Sequence, residues 1–122
     1  MKAMPRFLMT TLTALAVTGA TAGEADVVAA EAHCDAGRRC RFDVTVRHTD
    51  EGWAHYADRW DVLAPDGRVL GTRVLLHPHE TEQPFTRSLG GVAIPPGIGT
   101  VRLRAHDKVH GHGGAEIDVA IP

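Results

Sequence analysis

Residues 41–48 read Arg41-Phe42-Asp43-Val44-Thr45-Val46-Arg47-His48, with Phe42, Val44 and Val46 on one face and charged or polar side chains between them. A period of two is the signature of a half-buried β-strand. Residues 27–33 form a similar segment upstream, and between the two stand Cys34 and Cys40, enclosing Asp35-Ala36-Gly37-Arg38-Arg39. In an oxidising compartment such a pair closes a turn with a disulfide, which makes the two segments a hairpin. Redox or metal-binding pairs more commonly have two intervening residues. In the loop-entropy model a ring this small stabilises the fold by roughly 2 to 2.5 kcal/mol.

Working outward, the short period persists. Residues 53–64 are a predicted strand with Tyr56, Trp60 and Val62 inward, and Pro65-Asp66-Gly67 is a turn in which Pro presets one dihedral and Gly accepts a positive one. Further strands are expected at 69–77, ended by Pro78, which cannot donate to a ladder, and at 84–89, ended by Gly90-Gly91. The last two fall at 100–105 and 115–121, joined by the Gly- and His-rich residues 106–114. Seven short strands at this spacing predict an all-β, immunoglobulin- or fibronectin III-like antiparallel sandwich.

The chain has 122 residues, room for one domain. Lys2 and Arg6, the uncharged residues 7–20 and Ala20-Thr21-Ala22 before Gly23 read as a Sec-type signal over 1–22, leaving a single domain at 23–122. The apolar run is too short to span a membrane, and no later one is longer, so the mature domain is not expected to be membrane-embedded. Periplasmic or secreted localisation follows. Loss of the leader takes Lys2, Arg6 and all three methionines, moving the formal charge from -2 to -4. A negative domain has no electrostatic basis for binding nucleic acid.

The eight histidines carry the functional reading. In a sandwich whose strands run alternately up and down, the loops after the second, fourth and sixth strands share one end. His48 and His55, His77 and His79, and His106, His110 and His112 belong to those three loops, whereas His33 lies beside the cysteines. Imidazoles aimed from several loops at one point form a site for a transition metal ion. His48, His55, His106 and His110 are the leading candidates, with His77, His79, His112 and Asp107 behind them. His77-x-His79 is a potential chelating pair, since positions i and i+2 of an extended chain face the same side. Asp50, Glu51 and Glu80 are further possible carboxylate ligands. No methionine remains and both cysteines are committed, so blue copper and Cu(I) sites are out; imidazole and carboxylate suit Cu(II), Zn or Fe. Nothing calls for an organic cofactor. A histidine site should lose its metal as pH falls through about 6.

The run His48-Thr49-Asp50-Glu51-Gly52-Trp53-Ala54-His55-Tyr56, followed by Trp60 and Asp66-Gly67, resembles the iron-binding domain of superoxide reductases, the desulfoferrodoxin or neelaredoxin domain. Asp107-Lys108-Val109-His110-Gly111 occupies the place of that family's Cys-Asn-x-His-Gly. The resemblance covers about residues 44–114 and implies an immunoglobulin-like fold, a metal-dependent oxidoreductase, and His48, His55 and His110 as iron ligands. Asp107 replaces the axial cysteine, so a carboxylate stands where the thiolate would be. Copper, zinc superoxide dismutase is also a sandwich with a His-x-His pair, but its glycine-flanked motif is absent around His77. A copper brace needs histidine as first residue, which Gly23 is not.

A rival class is a metal-free protein- or carbohydrate-binding module using the same loops, with Trp53, Tyr56 and Arg59 as anchors, because aromatic residues and arginine dominate binding hot spots. A periplasmic partner protein suits either class. Ser88 is the only serine, and nothing around it forms a nucleophile elbow, so hydrolase chemistry has no foothold.

Overall fold

The computed structural model describes residues 23–122; the leader expected at 1–22 lies outside the described residues. These form seven strands: β1 (Asp26–Cys34), β2 (Arg39–Arg47), β3 (Ala57–Leu63), β4 (Val69–Val74), β5 (Phe85–Ala93), β6 (Thr100–Asp107) and β7 (Ile117–Ala120). They make two antiparallel sheets, β1-β2-β5 and β4-β3-β6-β7, and there is no helix among the described residues. The expected hairpin is present: β1 pairs with β2 and Cys34 is disulfide-bonded to Cys40.

Between the sheets lies one apolar core, with Trp60, Phe42, Phe85 and Leu103 its largest fully buried side chains. Its pattern follows from strand alternation. On β2 the buried positions are Cys40, Phe42, Val44 and Val46; on β6 they are Val101, Leu103, Ala105 and Asp107. The β2 row runs on past the strand end to His48, which is 2% exposed. Each facing sheet therefore ends an apolar row with a polar, metal-capable side chain at the same end of the sandwich.

Several predicted boundaries shift, each for a local reason. The third strand begins at Ala57 rather than at residue 53, because Glu51 N–H donates to the His55 carbonyl (2.8 Å) and closes residues 51–55 into a loop. The fourth stops at Val74, where Leu75 N–H turns to the Asp58 carbonyl (2.9 Å). The fifth continues to Ala93: Gly90-Gly91 form a bulge, with Phe42 opposite Leu89 and Cys40 opposite Val92, so one extra residue is absorbed at Gly91 with φ 69°. The sixth extends to Asp107, and the seventh is shorter because Ala115 bonds Asp26 and Val27 instead.

Candidate metal centre

Residues 48–56 connect β2 to β3 and carry two histidines fixed by carboxylates. Nδ1 of His48 lies 2.5 Å from Oδ1 of Asp50, and Nδ1 of His55 lies 2.7 Å from Oε1 of Glu51. A carboxylate accepts only, so each Nδ1 carries a proton and each Nε2 is turned the other way. The two Nε2 atoms are 3.3 Å apart. His48 Nε2 is also 3.6 Å from Asp107 Oδ2, and His55 Nε2 is 3.6 Å from Asp107 Oδ1. The Gly23 carbonyl oxygen is 2.9 Å from the first and 3.2 Å from the second.

This arrangement puts two imidazole Nε2 atoms, a carboxylate and a carbonyl around one point. When the rings are neutral a cation at the centre holds such a set together; when they are protonated, their Nε2–H groups donate to the oxygens instead. Asp107 Oδ2 is buried and has no hydrogen-bond partner among the described residues, although its sister Oδ1 accepts from the N–H groups of Val109 (2.8 Å) and His110 (2.6 Å). An orphaned buried carboxylate oxygen is costly, and a metal ion removes the cost. Metal–ligand bonds of about 2.0–2.2 Å put tetrahedral ligand atoms about 3.3–3.6 Å from one another, close to the separations found here. Carboxylates behind both histidines complete the pattern, since outer partners fix tautomer and raise ligand basicity.

The surroundings hold the outer partners in turn. Asp50, with no side-chain exposure, accepts from the N–H groups of Ala57 (3.0 Å) and His79 (2.6 Å) as well as from His48. Gln83 accepts from His48 N–H and donates to the His79 carbonyl, both at 2.9 Å, tying the β4–β5 loop to the site. Asp50 and Glu51 thus orient the two histidines.

Three histidine groups result where the sequence suggested one ring. His48 and His55 meet at Asp107, with His110 at the rim: its Nδ1 is 3.4 Å from Asp107 Oδ1 and its ring 5.0 Å from that of His55. His106 is elsewhere. With β6 running to Asp107, alternation turns His106 to the other face, where Nδ1 lies 2.6 Å from Asp58 and the ring meets His112. His112 also lies 3.4 Å from an Arg59 nitrogen. His77 and His79 pair at 4.7 Å between ring centroids; His79 stacks on Phe85 and His77 reaches its neighbour's carbonyl at Pro78. Of the proposed anchors, Trp53 is 65% exposed and stands edge-on to Tyr56, which is itself buried. Sequence reasoning missed Gly23. Its signal was available: the first strand ends at the disulfide turn, so it must begin at the opposite, histidine end.

Charge follows geometry. Glu51 foremost, helped by the Gly23 carbonyl and Asp107 against the opposing effect of burial, raises the His55 pKa above its ordinary 6.5. Burial opposes ionisation of Asp107, but the His110 and Val109 N–H groups and His48 prevail and hold its pKa down. Burial and Arg87 lower that of His79, and burial and Arg104 lower that of His112. A raised histidine pKa contributes stability that is full below the unfolded value and lost as pH rises through the folded one. In the metal-free Glu51→Gln chain the His55 titration midpoint, read by NMR, should fall toward 6.5. Its stability deficit against the parent should be larger at pH 5.5 than at pH 8. An unmoved midpoint would show that Glu51 does not hold His55.

No family model matches the chain, and no solved structure matches it. A Halomicrobium mukohataei protein named "Putative lipoprotein" is 45% identical over 91 residues, covering 75% of this chain and 44% of that protein. The chain thus spans less than half the length of this relative.

Proposed function

We propose that the chain is an exported metal-binding protein with an immunoglobulin-like sandwich, in which His48, His55 and Asp107, with His110 at the rim, hold one Cu(II), Zn(II) or Fe ion. The observation that carries this reading is the meeting of two imidazole Nε2 atoms, 3.3 Å apart, beside a buried and partnerless carboxylate oxygen. The strand order β1-β2-β5 and β4-β3-β6-β7 supports the immunoglobulin-like assignment. Export is supported by the leader pattern at 1–22, by the disulfide, and by the word lipoprotein in the relative's name. Both cysteines are bonded to each other, so neither is free to carry a lipid.

The ligand set is hard to borderline, two or three imidazoles and a carboxylate, and on affinity alone Cu(II) binds it best. Iron or copper there supplies one-electron chemistry, and zinc a redox-silent Lewis acid. The role is that of a carrier or small redox centre. The superoxide reductase resemblance points to His48, His55 and His110, three rings that are neighbours here, with Asp107 in place of the thiolate. A second reading has one observation in its favour: Trp53, Leu76 and Val109 in the loops are 65%, 77% and 59% exposed, as in a module that docks a protein or sugar.

Elemental analysis of untagged protein recovered from the export compartment decides between the two. The expected result is about one transition metal per chain, released as pH drops through about 6 when the imidazoles protonate. Protein that carries no metal and takes up none tightly on reloading would leave the docking module.

A further inference from the structure

Residues 23–26 are strapped over the His48–His55–Asp107 cluster by the loop before β7. Asp26 Oδ1 accepts from Ala115 N–H (2.8 Å), and Val27 N–H donates to the Ala115 carbonyl (2.9 Å). Gly114 makes room for the backbone of this strap, and Gly113 for the Glu24 side chain. A Cβ at Gly114 would lie 1.9 Å from the Ala25 carbonyl oxygen, and one at Gly113 would lie 1.8 Å from a Glu24 carboxylate oxygen. The strap delivers the Gly23 carbonyl to both histidine Nε2 atoms. Gly23 itself has φ 95°, a conformation that favours glycine, and a Cβ on it would meet the His110 ring at 2.6 Å.

That residue is also the first of the mature chain if the leader ends at Ala22. Hydrolysis of the Ala22–Gly23 amide by a leader peptidase consumes one water and leaves a carboxyl on Ala22 and a primary amine on Gly23. From these observations, and resting on the metal reading above, we infer that leader removal completes the metal centre: the Gly23 α-amine joins His48, His55 and Asp107 as a ligand. The amine and the Gly23 carbonyl oxygen are separated only by Cα and the carbonyl carbon, the spacing of a five-membered chelate ring. An uncleaved chain has an amide nitrogen at this position, whose lone pair is committed to the peptide bond and is a poor donor. Processing then acts as the step that switches on tight binding, so metal is taken up after export. No N-terminal histidine is required, because the imidazoles come from the β2–β3 loop.

The test uses two chains released from a fusion under oxidising conditions, one beginning at Gly23 and one retaining Ala22. Both hold all seven strands and the Gly23 carbonyl; with the Ala22 amine acetylated in the longer chain, they differ in whether the nitrogen at Gly23 is an amine or an amide. Titrated with Cu(II) and with Zn(II) at pH 7.5, the chain beginning at Gly23 should bind at least about ten-fold tighter, about 1.4 kcal/mol. With Cu(II), nitrogen-15 glycine labelling should alter the nitrogen couplings in the electron paramagnetic resonance spectrum of that chain alone. Equal affinities, both lost in His55→Ala, would overturn the amine ligand and leave the His–Asp centre standing. No tight binding by either chain would overturn both.

Discussion

Replacing His55 with alanine should weaken Cu(II) and Zn(II) binding by more than about 100-fold, whereas Asp50→Asn should weaken it by about 10- to 100-fold, the range for an outer partner of a ligating histidine. The difference follows from what each side chain touches. His55 contributes one of the converging Nε2 atoms, 3.3 Å from its counterpart and 3.6 Å from Asp107. Its loss removes a donor and leaves His48 and the carboxylate with an open side. Asp50 contacts no point where the ion would sit; it fixes the proton on His48 Nδ1 and so turns Nε2 toward the centre. Asparagine keeps one acceptor oxygen and the shape, so the ring is held less well but is still held. Asp107→Asn should fall with His55→Ala, because it removes the charge that offsets the cation in a buried setting. Isothermal titration of the folded variants, checked by circular dichroism, gives the order. Equal, small losses across all three would show that the metal sits elsewhere, and the His106–His112 pair beside Asp58 would be next to examine.

Much of this centre is legible in the sequence, and the illegible part has physical reasons. Alternation on residues 41–48 fixes β2 and its inward row, and continuing that row reaches His48. The same count on β6, carried two residues further, reaches Asp107 and turns His106 to the other face. Strand parity gathers seven histidines at one end, but it cannot divide them. That division depends on how the loops close: on the Glu51–His55 backbone bond that swings His55 over His48, and on Gln83, which ties His79 to the back of the site. Gly90-Gly91 read as a break because two glycines usually end a strand; a bulge uses the same freedom without ending it. The strap over Gly23 rests on close backbone approach at Gly114, and close approach leaves no periodic trace.

Asp50→Ala should cost the metal-free fold about 3–5 kcal/mol, the range for removing one partner from a buried charged network. Its carboxylate has no side-chain exposure and serves three donors in two loops: His48 Nδ1–H, Ala57 N–H at the start of β3, and His79 N–H in the β4–β5 loop. Alanine strands all three where water does not reach, and each unpaired buried donor costs about 1–3 kcal/mol. Asp50→Asn keeps an acceptor for at least one of these donors and should cost less than half as much. Urea unfolding of the chelator-treated protein, with the disulfide intact, measures both. A loss below about 1 kcal/mol for Asp50→Ala, the ordinary cost of a surface substitution or a little more, would show that the loops do not lean on this carboxylate. The expected loss also bears on function. Typical domains are stable by about 5–15 kcal/mol, so a site whose outer carboxylate carries this share of the total is built into the fold, and metal affinity and folding stability should fall together.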